Sequence, residues 1–166
     1  MGELALGDPG LERFGARTHR YALRPPLPVR EIRAFEATHG IRLPEAYRSF
    51  VVEVGDGPAG PAHGLMPLTA ARPDDDWAVD DEWREDRLPG RLAAPAPTAP
   101  VPGPIGGRAD GLTPGTLMLT ELGCGMYARL VLNGPHVGEV WQLDTDWAGF
   151  VPTAPDFRTW YEEWLG

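Results

Sequence analysis

The side chains best suited to chemistry or recognition cluster between Asp74 and Asp86. There Asp74, Asp75, Asp76, Asp80, Asp81, Glu82, Glu85 and Asp86 surround Trp77, Val79 and Trp83, and only Arg84 offsets the charge. A carboxyl pair performs general acid–base work when burial raises the pKa of one member, and a dense hydrophilic run in water lacks that environment. The interleaving suits recognition better. Trp77 and Trp83 supply contact area, while Asp74, Asp75, Asp76, Asp80 and Asp81 supply fixed charge that steers a basic protein surface toward them. Those residues form the candidate partner-binding patch. In the alternative reading both Trp pin the run to the domain core, and the sequence leaves the two open.

Other reactive residues form no recognisable constellation. Cys124 is the one Cys, which excludes an internal disulfide and any multi-Cys metal site, and its setting, Gly123-Cys124-Gly125, reads as a small, half-buried strand residue. His19, His39, His63 and His136 lie far apart, without the i, i+4 pairing of common metal motifs. Asp144-Thr145-Asp146 opens like a calcium loop, but Pro155 stands where the twelfth-position Glu is required. Gly103-Pro104-Ile105-Gly106-Gly107 lacks the Lys-Ser/Thr ending of a phosphate loop, and no Gly-x-Ser-x-Gly elbow occurs. The chain therefore reads as a non-enzyme with no catalytic residues, no cofactor and no metal.

At 166 residues, with 42% hydrophobic and 9% aromatic residues, the chain is about one domain with enough apolar surface for a core. Its net charge of -9 opposes the phosphate backbone, so direct nucleic-acid binding is not expected, whereas a basic protein partner is suited. Apolar runs such as Leu117 to Leu119 are too short to cross a bilayer. Met1 to Arg13, carrying Glu3, Asp8 and Glu12, does not read as a secretory signal, so a cytoplasmic location is expected. All 15 basic residues are Arg, which together with abundant Ala, Gly and Pro points to a GC-rich bacterial genome.

The elements that must position these residues follow from periodicity. Residues 1–26 read as a loosely structured N-terminal extension ending in Pro25-Pro26, and residues 27–166 as the domain. Pro28 to His39 is a short amphipathic helix stopped by Gly40, and Pro44 opens a second, with Tyr47, Phe50, Val51 and Val54 on one face. Gly64 to Thr69 is a candidate first strand, and Asp74 to Asp86 a short helix or an acidic loop. Leu88 to Pro104, rich in Pro and Ala, reads as an extended insertion. Thr116 to Thr120, Tyr127 to Leu132 and Val137 to Leu143 read as strands, the last two joined as a hairpin through Asn133-Gly134-Pro135-His136. Phe157, Trp160, Tyr161, Trp164 and Leu165 form the strongest helical stripe. The order predicts an α+β domain with a mainly antiparallel sheet and helices packed on it.

The run Ile32, Phe35, Glu36, Gly40, Leu43-Pro44, Tyr47 and Phe50, closing on Gly55-Asp56-Gly57, resembles the N-terminal signature of the SUKH superfamily, the Smi/Knr family. Gly138-Glu139-Val140-Trp141 is similar to that family's Gly-x-Val-Trp strand, and Phe157 with Trp160 to its closing helix. The resemblance covers about Leu27 to Leu165 and implies the same α+β architecture. It further implies a bacterial immunity protein that binds and blocks a cognate toxin, often a nuclease, or else an intracellular regulatory interaction module. It carries over no catalytic residues. If the acidic patch steers a basic partner, replacing Asp74, Asp75, Asp76, Asp80 and Asp81 by Asn should slow association and flatten its salt dependence, and unchanged kinetics would sink the assignment.

Overall fold

Alternation along β3 (Met126–Val131) explains the architecture: Ala128 and Leu130 join one apolar cluster, while Tyr127 and Val131 join others on the opposite side. A computed structural model of the chain describes residues 2–69 and 77–166. Its sheet has the order β1-β5-β4-β3-β2, antiparallel throughout, with β1 (Val101–Pro102), β2 (Thr116–Gly123), β4 (Val140–Asp144) and β5 (Gly149–Ala154). Together with the helices described below it makes the single α+β domain expected.

One face of the sheet is covered by α3 (Val29–His39), α4 (Glu45–Glu53) and α6 (Phe157–Leu165). Ile32, Phe35, Tyr47, Val51, Phe157 and Tyr161 bury against Leu117, Leu119, Leu130 and Val140. The helix boundaries have local causes. Pro28 and Pro44 immediately precede α3 and α4, Gly40 ends α3 at φ 65°, and the Asp156 carboxylate caps α6 by accepting from the Thr159 N–H at 2.7 Å. Glu36 Oε1 accepts from the Leu43 N–H at 3.0 Å and from Arg48 Nε at 3.3 Å, fixing the link between α3 and α4. Buried Asp56 accepts from the Leu68 N–H at 2.7 Å, while burial pushes its carboxyl above the usual range.

The opposite face carries Trp141, Leu143 and Phe150, covered by Ala96 and Ile105. The stretch expected as an insertion at 88–104 is therefore part of the packing. Leu92 is wholly buried, Asn133 holds the stretch by accepting from the Ala96 N–H at 2.9 Å and donating to the Ala94 carbonyl at 2.8 Å, and Val101–Pro102 pairs with β5. Pro102 is tolerated because β1 is an edge strand.

Three more expectations differ. Residues 2–26 contain α1 (Gly2–Gly7) and α2 (Ala16–His19), and Leu4, Ala16 and Tyr21 pack against Trp164 and Leu165 of α6. Asp8 organises this segment: its carboxylate accepts from Tyr21 Oη at 2.6 Å and from the Glu12 and Arg13 N–H groups at 2.7 and 3.1 Å. The Tyr21 contact and the packing on α6 bridge residues far apart in the chain, so no local period announces them. Gly64 to Thr69 is irregular rather than a strand; it lies beside β2, with the Met66 N–H donating to the Leu119 carbonyl at 2.7 Å. The last hairpin strand begins at Val140 instead of Val137, because the Gly138 and Glu139 N–H groups close turns onto Val131 and His136. β5 was hidden by Pro152, which pairs with Trp141 next to a register shift. Among the described residues no helix is long and apolar enough to cross a membrane.

Gly149 shows how closely β1 is seated. It has φ +87°, and a Cβ there would collide with the Val101 carbonyl oxygen. Gly149→Ala should cost more than about 1 kcal/mol in urea denaturation and speed amide exchange at Gly103, whose N–H donates to the Ala148 carbonyl at 3.0 Å. Unaltered exchange at Gly103 would show that β1 docks independently of Gly149.

Candidate functional site

The acidic run folds as α5 (Trp77–Asp86) and packs on β2. Its last turns serve a charge that the apolar strands hide. Arg129, in the middle of β3, has no exposed surface, and Nη2 donates to Asp86 Oδ1, Nη1 to Glu82 Oε2 at 3.2 Å, and Nε to Thr116 Oγ1 at 2.8 Å. The other Asp86 oxygen accepts from the Met118 N–H at 2.8 Å, beside the β-bulge that shifts the register between Met118 and Thr120. A guanidinium fork meeting two carboxylates and a hydroxyl is well satisfied in a place where an unpaired charge would cost several kcal/mol. Burial pushes the Glu82 carboxyl upward in pKa, and Arg129 opposes that shift.

The predicted patch divides accordingly. Asp74, Asp75 and Asp76 lie outside the described residues, and Trp77 and Asp80 stand in the first turns of α5. Asp81 is exposed, 3.6 Å from Arg84 one turn on, and Glu85 pairs with Arg91 at 2.6 Å. Trp83 is half-buried: its indole N–H donates to the Pro67 carbonyl at 2.8 Å, and the Arg87 guanidinium stacks 3.6 Å from its ring centroid. Trp83 thus ties α5 to the stretch at 64–69, as the pinning reading anticipated for it. Arg87 itself donates to the Leu68 carbonyl at 2.8 Å and the Trp83 carbonyl at 2.7 Å, and burial pulls its pKa down to about 10.

Beyond α5, a groove between α3 and α5 is lined by Glu31, Phe35, His39, Leu68, Trp83 and Arg87. At the opposite end of the sheet from Cys124, His136 Nδ1 lies 3.0 Å from Glu139 Oε1, and Glu139 Oε2 accepts from the Trp141 indole at 2.8 Å. The Glu139 contact raises the pKa of His136. Both groups clamp the β3–β4 turn. Cys124 corrects its expectation: it is exposed, at φ 54° beside Gly125 at φ 74°, in the two-residue turn between β2 and β3. Among the described residues no group of three or more His, Cys, Asp or Glu is placed to hold a metal ion.

Sequence reasoning missed Arg129, although a charged residue inside Tyr127-Ala128-Arg129-Leu130-Val131 was a visible break in an apolar strand. Arg129→Met strands the Asp86 charge in the core and should cost about 3–5 kcal/mol in urea denaturation. Adding Asp86→Asn, which removes the charge but keeps an acceptor for Met118, should recover part of that loss. A single substitution costing under about 1 kcal/mol would show that the network is not needed to hold α5.

Comparison with curated proteins and with solved structures returned no match. One family model does match, over residues 26–163, a span that includes α3 to α5, all five strands and most of α6 and leaves out α1 and α2. The chain belongs to the SMI1/KNR4 family (SUKH-1).

Proposed function

We propose that this protein is a bacterial immunity protein, a non-catalytic domain that neutralises a cognate toxin by binding it directly. The observation that carries this reading is the family match across residues 26–163, since bacterial members of the SUKH group resemble immunity proteins. The charge is in keeping with it. A net -9 repels nucleic acid but attracts a basic nuclease surface, and fixed carboxylates raise association rates by steering.

The proposed steering charge is Asp74, Asp75, Asp76, Asp80 and Asp81, with Trp77 as contact area. Glu82, Glu85 and Asp86 are engaged with Arg129 and Arg91, so they add less to the external field and more to the rigidity of α5. Holding the helix in place lowers the ordering cost of binding. The protein acts in the cytoplasm under this reading, where it meets the toxin before the toxin meets its target.

Affinity capture from a lysate of the source organism, followed by mass spectrometry, tests the proposal. A multidomain toxin should be retained at low salt and lost as salt rises, and co-expression with this protein should restore growth to cells producing that toxin. Capture of housekeeping proteins only, or toxicity undiminished by co-expression, would overturn the proposal and favour a regulatory interaction module.

A further inference from the structure

Of the described aromatic side chains just two are exposed, Phe14 at 65% and Trp147 at 80%, and both stand at the same end of the sheet. Pairing of Tyr127 with Leu143 sets the start of β3 beside the end of β4, so the β2–β3 turn and the β4–β5 turn emerge together. Phe14 lies against Gly123, where a Cβ would collide with its ring, and packs edge-on to His63, whose Nε2 is 3.3 Å from Glu121. Trp147 belongs to the other turn. Phe14 borders β2 and Trp147 follows β4, so two to three strand spacings, roughly 10–15 Å, separate them across the sheet.

The Trp147 turn is rigid. Asp144 Oδ1 accepts from the Asp146 and Trp147 N–H groups at 3.1 and 3.0 Å, and the Thr145 carbonyl accepts from Ile105 and Gly106, each at 3.0 Å. The Ala148 carbonyl takes the Gly103 N–H at 3.0 Å. Within this frame the Trp147 ring has no aromatic neighbour and its indole N–H no acceptor among the described residues. A large ring held in water by a fixed turn contributes nothing to the core, and the cost of ordering the backbone that carries it has already been met by folding. Asp146 beside it is exposed, with Thr145 Oγ1 3.4 Å from its carboxylate.

We propose that this end of the sheet, with Trp147 and Phe14 as aromatic anchors, docks on an arginine-bearing face of a partner protein. An exposed indole directly after an exposed carboxylate in no ion pair among the described residues suits a guanidinium, which stacks on the ring while its N–H groups pair with the acid. Exposed Glu12, two residues before Phe14, extends the negative charge, against Arg13, while Glu121 is engaged by His63 and the Gly123 N–H. This deepens the immunity reading and rests on its claim that the chain binds a basic protein, adding an anchoring contact at the hairpin end to the steering charge proposed at the start of α5.

The test is a titration of the full chain with a deca-arginine peptide, followed by NMR of the Trp indole N–H and backbone amide signals, with deca-glutamate as the control. Trp147, assigned through Trp147→Phe, should shift saturably along with Asp146 and Phe14, and Trp147→Ala should weaken binding roughly tenfold, the size expected of an interface anchor. Trp147 makes no internal ring contact, so an unchanged melting temperature will show that the fold is intact in the variant. Shifts confined to α5, equal affinity of Trp147→Ala, or an equal response to deca-glutamate would each overturn the docking surface. Failure to capture a toxin from lysate strikes the immunity reading alone and leaves this result standing.

Discussion

Arg129 places a full charge at the centre of a sheet whose neighbouring residues are apolar, and Asp86, Glu82 and Thr116 answer it. An arginine cannot shed its proton to escape burial, so something must supply carboxylates at that point. That requirement decides where α5 sits and which of its faces turns inward. The same carboxylate of Asp86 also satisfies the Met118 N–H beside a bulge, so one side chain supports both the ion pair and the backbone irregularity. Arg91, paired with Glu85 and donating to Thr113 Oγ1 at 2.6 Å, then fastens the start of the Pro-rich stretch to the same helix.

A division of labour within the acidic run follows from this. Its C-terminal carboxylates neutralise the chain's own arginines, and Trp83 and Arg87 lock the helix to the stretch at 64–69. A carboxylate already paired exerts a much weaker field on an approaching partner than a free one. Under the proposed function, attraction of a basic surface falls to the beginning of the run and to carboxylates elsewhere, including Asp146 at the β4–β5 turn. Rigid framing of α5 and of that turn would serve the proposed binding, since backbone that is already ordered loses little entropy when a partner arrives.

Much of the fold could be read from the chain because its causes are local. Pro28 with Gly40, Pro44 with the Tyr47 and Val51 stripe, and the Phe157 to Leu165 stripe each specify a helix through positions within a few residues of one another. Hairpin strands β3 and β4 announce themselves through alternation and a Gly-containing connection. The family signature rests on these same helices and strands, and Glu36 shows why one of its polar members is there, since it ties Leu43 and Arg48 to α3.

What the sequence by itself determined was the α+β class, the central helices and strands, the negative charge and the family. Only the tertiary structure decided which carboxylates are structural, which aromatic side chains remain exposed, and that the N-terminal and Pro-rich stretches belong to the packed body. Asp8 with Tyr21, Asn133 with Ala94 and Ala96, and Arg129 with Glu82 and Asp86 join residues 13 to 47 positions apart. Such pairings leave no period in the chain, because the partners become neighbours only after the sheet has formed. Trp83 and Trp147 look alike in sequence, each directly preceded by an acidic residue, yet one is pinned by the Pro67 carbonyl and the other stands in water. Burial is a property of what the rest of the fold places over a side chain, and residue type alone cannot assign it.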